Sequence, residues 1–186
     1  MIPPRQVPDR DSKYMGQAVM IAAFSKDPST QVGSVIVSKD NKPLGTGYNC
    51  PPQYIDDNSF SWERPPEDDP EAFSKYDVVT HAERNAINHS PKKRLKGATI
   101  YVTGFPCKWC MLDIVDADIT RLVYLDYNSD AGSILRKGQR TTSEKIAELK
   151  NSNPKAKKLI IEKFSGDLGW IENWVNVLKQ KNILPS

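Results

Sequence analysis

Two short stretches, separated by one predicted strand, constrain this chain more than any other feature: His81-Ala82-Glu83 and Pro106-Cys107-Lys108-Trp109-Cys110. Residues i and i+3 lie on the same side of an α-helix, so Cys107 and Cys110 would direct both sulfurs to one side. Pro106 suits the start of that helix, because its missing N–H costs nothing there. The positive end of the helix dipole then favours thiolate, the metal-binding form of cysteine. The spacing therefore predicts a metal site.

His81 supplies a third ligand, and one imidazole with two thiolates is a typical zinc set. Three protein ligands leave one tetrahedral position open for water, which is the arrangement of a catalytic rather than a structural zinc. Glu83 stands where a proton carrier is needed. Because residues i and i+2 do not share a helix face, His81 and Glu83 can converge on one metal only from the irregular first turn of a helix. H-x-E followed by P-C-x-x-C is the signature of zinc-dependent nucleobase deaminases.

A structural zinc site is the alternative interpretation. C-x-x-C alone also occurs in redox pairs and in structural zinc half-sites. Cys50 would then complete a four-ligand set, and the chain would be a non-catalytic module that binds zinc and nucleotide. Glu83 counts against this alternative, since a structural site has no use for its carboxylate.

Length and cysteine usage set the broad class. The 186 residues predict a single domain spanning 1–186, long enough to bury a core. No apolar run approaches membrane-spanning length, and the segment from Met1 to Asp11 lacks the apolar core of a signal peptide. Two of the 3 cysteines belong to the metal motif, which favours a reducing compartment over a disulfide framework. We expect a cytoplasmic protein, with the nucleus as the other reducing location, and no membrane partner.

The charge distribution argues against a polynucleotide partner. A net charge of +3 is only mildly basic and does not demand nucleic acid. Acidic residues are concentrated next to the predicted metal-binding helix, at Asp56, Asp57, Glu63, Glu67, Asp68, Asp69, Glu71 and Asp77. Such a segment would repel a phosphate backbone, so we expect a small-molecule substrate.

Hydrophobic periodicity predicts an α/β fold. The predicted helices are 12–24, 80–90 with Thr80 as N-cap, 106–116, 143–150 and 168–181. The predicted strands are 32–37, 44–48, 98–103, 121–126 and 158–164. A hairpin followed by alternating helices and strands implies a mixed, roughly five-stranded sheet with helices on both faces.

Two segments stand outside the predicted core of about 12–130. The segment 50–77 is irregular and proline-rich, and its length is unusual for a connection, so it is either a functional lid or an interface element. The region 131–186 is a C-terminal extension. Its last helix carries Trp170 and Trp174 on one apolar stripe, which is typical of a core or a subunit interface.

Four segments resemble the deoxycytidylate (dCMP) deaminases, a branch of the cytidine deaminase superfamily: Asp27–Gly33, Gly47–Pro52, His81–Ile87 and Tyr101–Cys110. The resemblance covers about residues 26–130. The zinc motifs are shared by the whole superfamily, whereas the hairpin motifs and the long insert point to the dCMP branch.

The resemblance implies a three-layer α/β/α sandwich and a homohexamer. It also implies hydrolysis of dCMP to dUMP with release of ammonia, which feeds thymidylate nucleotide synthesis. The site residues it assigns are the zinc ligands His81, Cys107 and Cys110, the proton carrier Glu83, and the nucleotide contacts Asn49, Thr30 and Tyr127. For Asn49, a turn-forming role at a strand end is an equal alternative.

Phe105 is a separate candidate to line the base pocket, and ordinary packing explains its ring equally well.

Two departures from the dCMP branch bear on regulation and fold. Cys50 stands where that branch usually has Gly, in a loop that many members use to bind the effectors dCTP and dTTP. A Cβ there restricts backbone angles that Gly allows, so control by these effectors is in doubt. Asp118 also replaces a common Gly, but Asp tolerates left-handed geometry, so the fold should survive. A deaminase acting on dCTP, free cytidine or a nucleic-acid base is the remaining alternative.

Overall fold

The structure is a computed structural model that describes residues 5–125, 142–181 and 183. Its helices are α1 (Arg10–Ala22), α2 (Lys75–Val78), α3 (Ala82–Asn88), α4 (Lys108–Asp116), α5 (Thr142–Ser152) and α6 (Gly169–Gln180). Its strands are β1 (Gly33–Val37), β2 (Pro43–Tyr48), β3 (Thr99–Val102), β4 (Arg121–Tyr124) and β5 (Ile160–Lys163). Short 3₁₀ helices cover Lys92–Arg94 and Ala156–Lys158.

The five strands form one mixed sheet in the order β2-β1-β3-β4-β5. β1 runs antiparallel to both β2 and β3, whereas β3, β4 and β5 are parallel. The parallel strands must be joined by crossovers, and α4 supplies the one between β3 and β4. The prediction of a mixed five-stranded sheet is confirmed.

Helices cover both faces of the sheet, as β1 shows most directly. Val35 points to a core formed with Tyr14 of α1, whereas Ile36 points to the opposite core, formed with Ala86 of α3 and Ile114 of α4. Successive strand residues face opposite sides, so a wholly buried strand such as β1 requires a layer on each side. The predicted three-layer α/β/α sandwich is therefore confirmed.

Glycines in the hairpin let helix backbones approach the sheet closely. A Cβ at Gly47 would overlap the Ala82 carbonyl oxygen and the Ala86 amide nitrogen, and one at Gly45 would lie 2.8 Å from the Ala86 carbonyl oxygen. On the other face, a Cβ at Gly33 would overlap the backbone of α1. The two β2 glycines therefore fix the height of α3 above the sheet, and with it the position of the residues at the start of α3.

The predicted elements agree with the observed ones to within two residues at each end, but two helix starts were wrong in detail. His81, not Thr80, is the N-cap of α3. Thr80 is unavailable because its N–H and C=O both bond to Cys50 in an antiparallel bridge, at 2.9 and 3.1 Å. Pro106 precedes the N-cap of α4, which is Cys107, so it lies outside the first turn.

The left-handed position predicted at Asp118 is observed, with φ of 55°. Asp118 follows the end of α4, and an Asp side chain tolerates this conformation at a helix end.

The C-terminal region contributes to the sheet and to one face of the fold. β5 pairs in parallel with β4 and completes the sheet. α6 places the Trp170 ring against Gly16 of α1, while Trp174 keeps 41% of its surface exposed. Within the described residues, no helix combines the length and apolar character needed to cross a membrane. The assignment of 1–186 to a single domain stays a prediction.

Candidate active site

The three predicted metal ligands meet where two helices begin. His81 is the N-cap of α3, Cys107 is the N-cap of α4, and Cys110 lies in the first turn of α4. Each N-cap has extended backbone, so its side chain is not held to the helical spacing of the residues that follow. His81 and Glu83 can therefore face the same point, as the spacing argument required.

The geometry of the three ligands fits a tetrahedral zinc ion. His81 Nδ1 lies 3.4 Å from the Cys107 sulfur and 3.3 Å from the Cys110 sulfur. All three ligand atoms lie within 4.8 Å of one another. Sulfur at about 2.3 Å and nitrogen at about 2.0 Å from a tetrahedral zinc would be separated by roughly 3.5 Å. The side chains are thus already placed for zinc, which is the cofactor of this site.

The electrostatics of the cluster favour a cation. The pKa of Cys107 is lowered to about 3, because its sulfur accepts hydrogen bonds from Cys110 and His81. Those donors hold their protons. The hydrogen bond from His81 to Cys107 raises the pKa of His81, and a separate hydrogen bond from Cys110 to Cys107, together with burial, raises the pKa of Cys110. A metal ion would displace these protons, so zinc binding should release protons.

Glu83 lies beside the ligands but is shielded from water. It is 4% exposed, in the first turn of α3. Burial raises the pKa of its carboxyl, while the charge of His81 acts in the opposite direction. Its carboxyl is hydrogen-bonded with the Cys110 thiol. A buried carboxyl whose pKa is raised is suited to accept and return a proton.

Cys50 is separate from the metal cluster. Its backbone bridges to Thr80, and its sulfur lies 3.5 Å from the Asn85 side-chain nitrogen. Among the described residues, the group able to hold a metal is His81, Cys107 and Cys110 without Cys50. The four-ligand structural alternative therefore loses its fourth ligand.

Asn49, which directly follows β2, lies against Thr30 of the loop that precedes β1. The Asn49 side chain is 7% exposed; its oxygen accepts from Val32 N–H at 2.8 Å, and its nitrogen donates to the Thr30 carbonyl at 2.9 Å. These bonds supply the turn-forming role considered for Asn49. The amide has a second N–H, which leaves one donor for a ligand.

The structure gives less support to the other two proposed nucleotide contacts, Phe105 and Tyr127. Phe105 is half-buried, and its ring contacts Tyr124 edge-on with 5.0 Å between the ring centroids. This contact accounts for the ordinary packing role of Phe105. Tyr127 lies outside the described residues.

The sequence does not reveal a buried ion pair that adjoins the loop of Thr30. Lys75 and Asp27 form an ion pair whose side chains are 8% and 5% exposed. The Asp27-Pro28-Ser29-Thr30 turn was a visible signal, but nothing in the sequence joins it to a lysine 48 positions away.

Residues 8–126 match the family described as cytidine and deoxycytidylate deaminase zinc-binding region. This match covers most of the chain and includes every described residue of the site. With the fold and the ligand triad, it defines the class: the chain belongs to the cytidine and deoxycytidylate deaminase family and is a zinc-dependent hydrolytic deaminase.

Within that class, the similar proteins include deoxycytidylate deaminases. The Homo sapiens deoxycytidylate deaminase is 36% identical over 126 residues, which span 66% of this chain and 70% of the human protein. The Mus musculus enzyme of the same name is 39% identical over 112 residues, or 60% of this chain and 62% of the mouse protein. Among solved structures, the dCMP deaminase of cyanophage S-TIM5 in complex with dCMP and dUMP matches the fold with a TM-score of 0.58 at 22% identity, covering 86% of this chain and all of the phage chain.

Proposed function

We propose that this protein converts dCMP to dUMP by hydrolytic deamination, with release of ammonia. The observation that carries the proposal is the buried Glu83 carboxyl beside a His81–Cys107–Cys110 triad whose spacing fits zinc. The names of the human and mouse relatives support dCMP as the substrate.

The chemistry divides between the metal and the protein. Zinc, held by the three ligands, supplies the Lewis acidity that makes water a nucleophile at neutral pH. The Glu83 carboxylate takes a proton from the attacking water and delivers it to N3 of cytosine as the oxygen adds to C4. Glu83 then carries the second proton to the departing amino group, and ammonia leaves as the C4–N bond breaks. Burial of Glu83 keeps bulk water from competing for these protons.

The nucleotide side of the pocket is assigned to the loop before β1 and to Asn49, which follows β2. We assign Asn49 to the sugar through its second amide N–H and Thr30 to the nucleotide beside it; Tyr127 and Phe105 complete the proposed contacts. The acidic residues of segment 50–77 favour a single nucleotide over a polynucleotide, since they would repel a phosphate backbone.

Three further properties of the protein are proposed here: its assembly, its regulation and its location. We infer a homohexamer from the resemblance to the dCMP branch, and dCTP and dTTP are the candidate effectors. Cys50, which replaces the usual Gly of the effector loop, has its backbone N–H and C=O bonded to Thr80. A cytoplasmic location is supported by the three free thiols. Light scattering tests the assembly, and added dCTP or dTTP tests the control.

The substrate is tested by ammonia release from zinc-loaded protein offered dCMP, dCTP, deoxycytidine and a short single-stranded oligonucleotide in parallel. We expect turnover of dCMP and little or none of the others. Turnover of dCTP alone would keep the chemistry and change the substrate. No turnover of any of them with zinc bound would contradict the proposal and favour a non-catalytic module.

A further inference from the structure

Asp27 and Ser29 together provide partners for all the hydrogens of the buried Lys75 ammonium group. Lys75 Nζ lies 2.9 Å from each carboxylate oxygen of Asp27, and its third contact is the Ser29 hydroxyl. An ammonium group has three donors, so none is left unpaired. Complete pairing matters here, because a buried charge with an unpaired donor would be strongly destabilising.

Asp27 uses the same carboxylate to shape its own loop. Oδ1 accepts from the Ser29 N–H at 2.9 Å and from the Thr30 N–H at 3.1 Å. Burial alone would raise the pKa of Asp27, and the hydrogen bonds from Lys75 and Ser29 outweigh it, so the net pKa lies below the ordinary value. The carboxylate is therefore charged at neutral pH, as the geometry requires.

The backbone of Lys75 connects the ion pair to the segment that carries the metal ligand His81. The Lys75 N–H bonds to Ser61 of the insert at 2.7 Å, and its carbonyl accepts from Val79 at 2.9 Å. Thr80 then bridges to Cys50, and the next residue is His81. Lys75 thus joins the segment that ends at a zinc ligand to the loop that contains Thr30, to which Asn49 is hydrogen-bonded.

Stability alone does not explain this arrangement. Replacing a buried ion pair by apolar residues of similar size is often neutral or stabilising, whereas the charges specify one geometry. Among the described residues, a second ion pair joins the insert to the neighbouring part of the chain: Lys26, which is 69% exposed, pairs with Asp57. The exposed Lys26–Asp57 ion pair supplies a matched control for the buried Lys75–Asp27 ion pair.

We propose that Lys75 is a positioning residue for nucleotide binding, which holds the loop 27–30 and Asn49 in register with the metal ligands through Asp27. The insert is then a fixed wall of the pocket and not a mobile lid. This inference rests on the proposed function for its substrate, and it makes binding, rather than the chemical step, depend on Lys75.

The test compares Lys75→Met with Lys26→Met in zinc-loaded protein. For Lys75→Met we expect KM for dCMP to rise by about tenfold or more, with zinc retained and kcat within about threefold of wild type, because the loss is one of ground-state positioning. Lys26→Met should keep the wild-type KM. A folded, zinc-containing Lys75→Met with wild-type KM would overturn the proposal, and so would a loss of kcat that merely parallels a loss of zinc.

A double variant, Asp27→Asn with Lys75→Met, separates positioning from stability if the single variant folds poorly. It removes both charges while the Asn oxygen can still accept from Ser29 and Thr30. We expect the melting temperature to recover and KM to stay raised. Recovery of both would reduce Lys75 to a structural role.

Hydrogen exchange of the wild-type protein provides a test that needs neither a variant nor turnover. The amides of Thr30, Lys75 and Thr80 should be protected to the same degree with and without dUMP. Protection that appears only with nucleotide would show a mobile lid and overturn the inference. Absence of dCMP turnover by the wild type would instead contradict the proposed function and leave this measurement meaningful.

Discussion

The two sides of the pocket are built in different ways. On the metal side, the ligands come from the starts of two helices, and each half of the set is contained in a few consecutive residues. On the nucleotide side, Thr30 is held by Asn49 and Asp27 by Lys75, across 19 and 48 positions of the chain. The metal side is therefore specified by local spacing, and the nucleotide side by contacts that exist only in the folded chain.

This difference corresponds to a division of labour. Metal chemistry needs a small number of donor atoms at fixed distances, which helix starts supply from short motifs. Nucleotide binding needs a shaped wall, which here is a loop held by a buried carboxylate and an amide. Substitutions on the metal side should remove turnover, whereas those on the nucleotide side should weaken binding.

The largest effect is expected at the metal side. Cys110→Ser replaces a buried thiolate ligand, and we expect loss of stoichiometric zinc with a fall in kcat/KM of about a thousandfold or more. Zinc analysis together with ammonia release measures both. Cys50→Ser is the control and should retain zinc, because Cys50 lies outside the cluster. Loss of zinc in the control variant would restore the four-ligand alternative.

A smaller effect is expected where β2 supports α3. Gly47→Ala would force the Ala82 carbonyl away from the sheet, and we expect a loss of about 1–3 kcal/mol in the free energy of unfolding. Zinc affinity should fall as well, because His81 moves with the start of α3. Gly104→Ala is the control, since its Cβ would have no neighbour within 4 Å. Denaturant unfolding and zinc titration would contradict this account if the two variants behaved alike.

The opposite face of the sheet should affect neither side of the pocket. Asp11 binds both terminal nitrogens of Arg121, at 2.8 and 2.6 Å, and accepts from the Tyr101 hydroxyl. Arg121 chiefly lowers the pKa of Asp11 to about 2 from an ordinary 3.8. Because the folded value is the lower one, the stabilisation is present above about pH 4 and is lost as pH falls toward 2.

Asp11→Asn should therefore cost about 1 kcal/mol at neutral pH, a figure kept small because a third of the side chain is exposed to screening solvent. The difference from wild type should shrink below about pH 4, while KM and zinc content stay unchanged. Unfolding at several pH values measures this. Glu162→Gln, at the more exposed partner of Arg121, should cost less. A difference that grew on acidification would contradict the assignment.

The sequence predicted the three residues that the structure brings together as a metal-binding group, His81, Cys107 and Cys110, because ligand type and spacing are local properties. The fold followed because strand and helix periodicities are local too. The role of Glu83 stays a prediction. The error at Thr80 has a tertiary cause. Thr80 was a reasonable N-cap by residue type, but its backbone is used by a bridge to Cys50 that no short-range pattern reveals.

The nucleotide side was predicted only in outline. Asn49 was recognised as a candidate, but the bonds to Val32 and Thr30 that occupy most of its amide depend on the hairpin closing. In the sequence, Lys75 is a cation within an acidic segment. Its burial against Asp27 is a property of the folded state alone.

The division between chemistry and binding is tested most directly by Glu83→Gln, measured for zinc content, dCMP affinity and ammonia release. Gln keeps the size of the side chain but cannot carry the proton. We predict stoichiometric zinc, dCMP bound with near wild-type affinity, and turnover lowered by about a thousandfold or more. Wild-type turnover with zinc bound would contradict the account, because the chemistry would then not pass through Glu83.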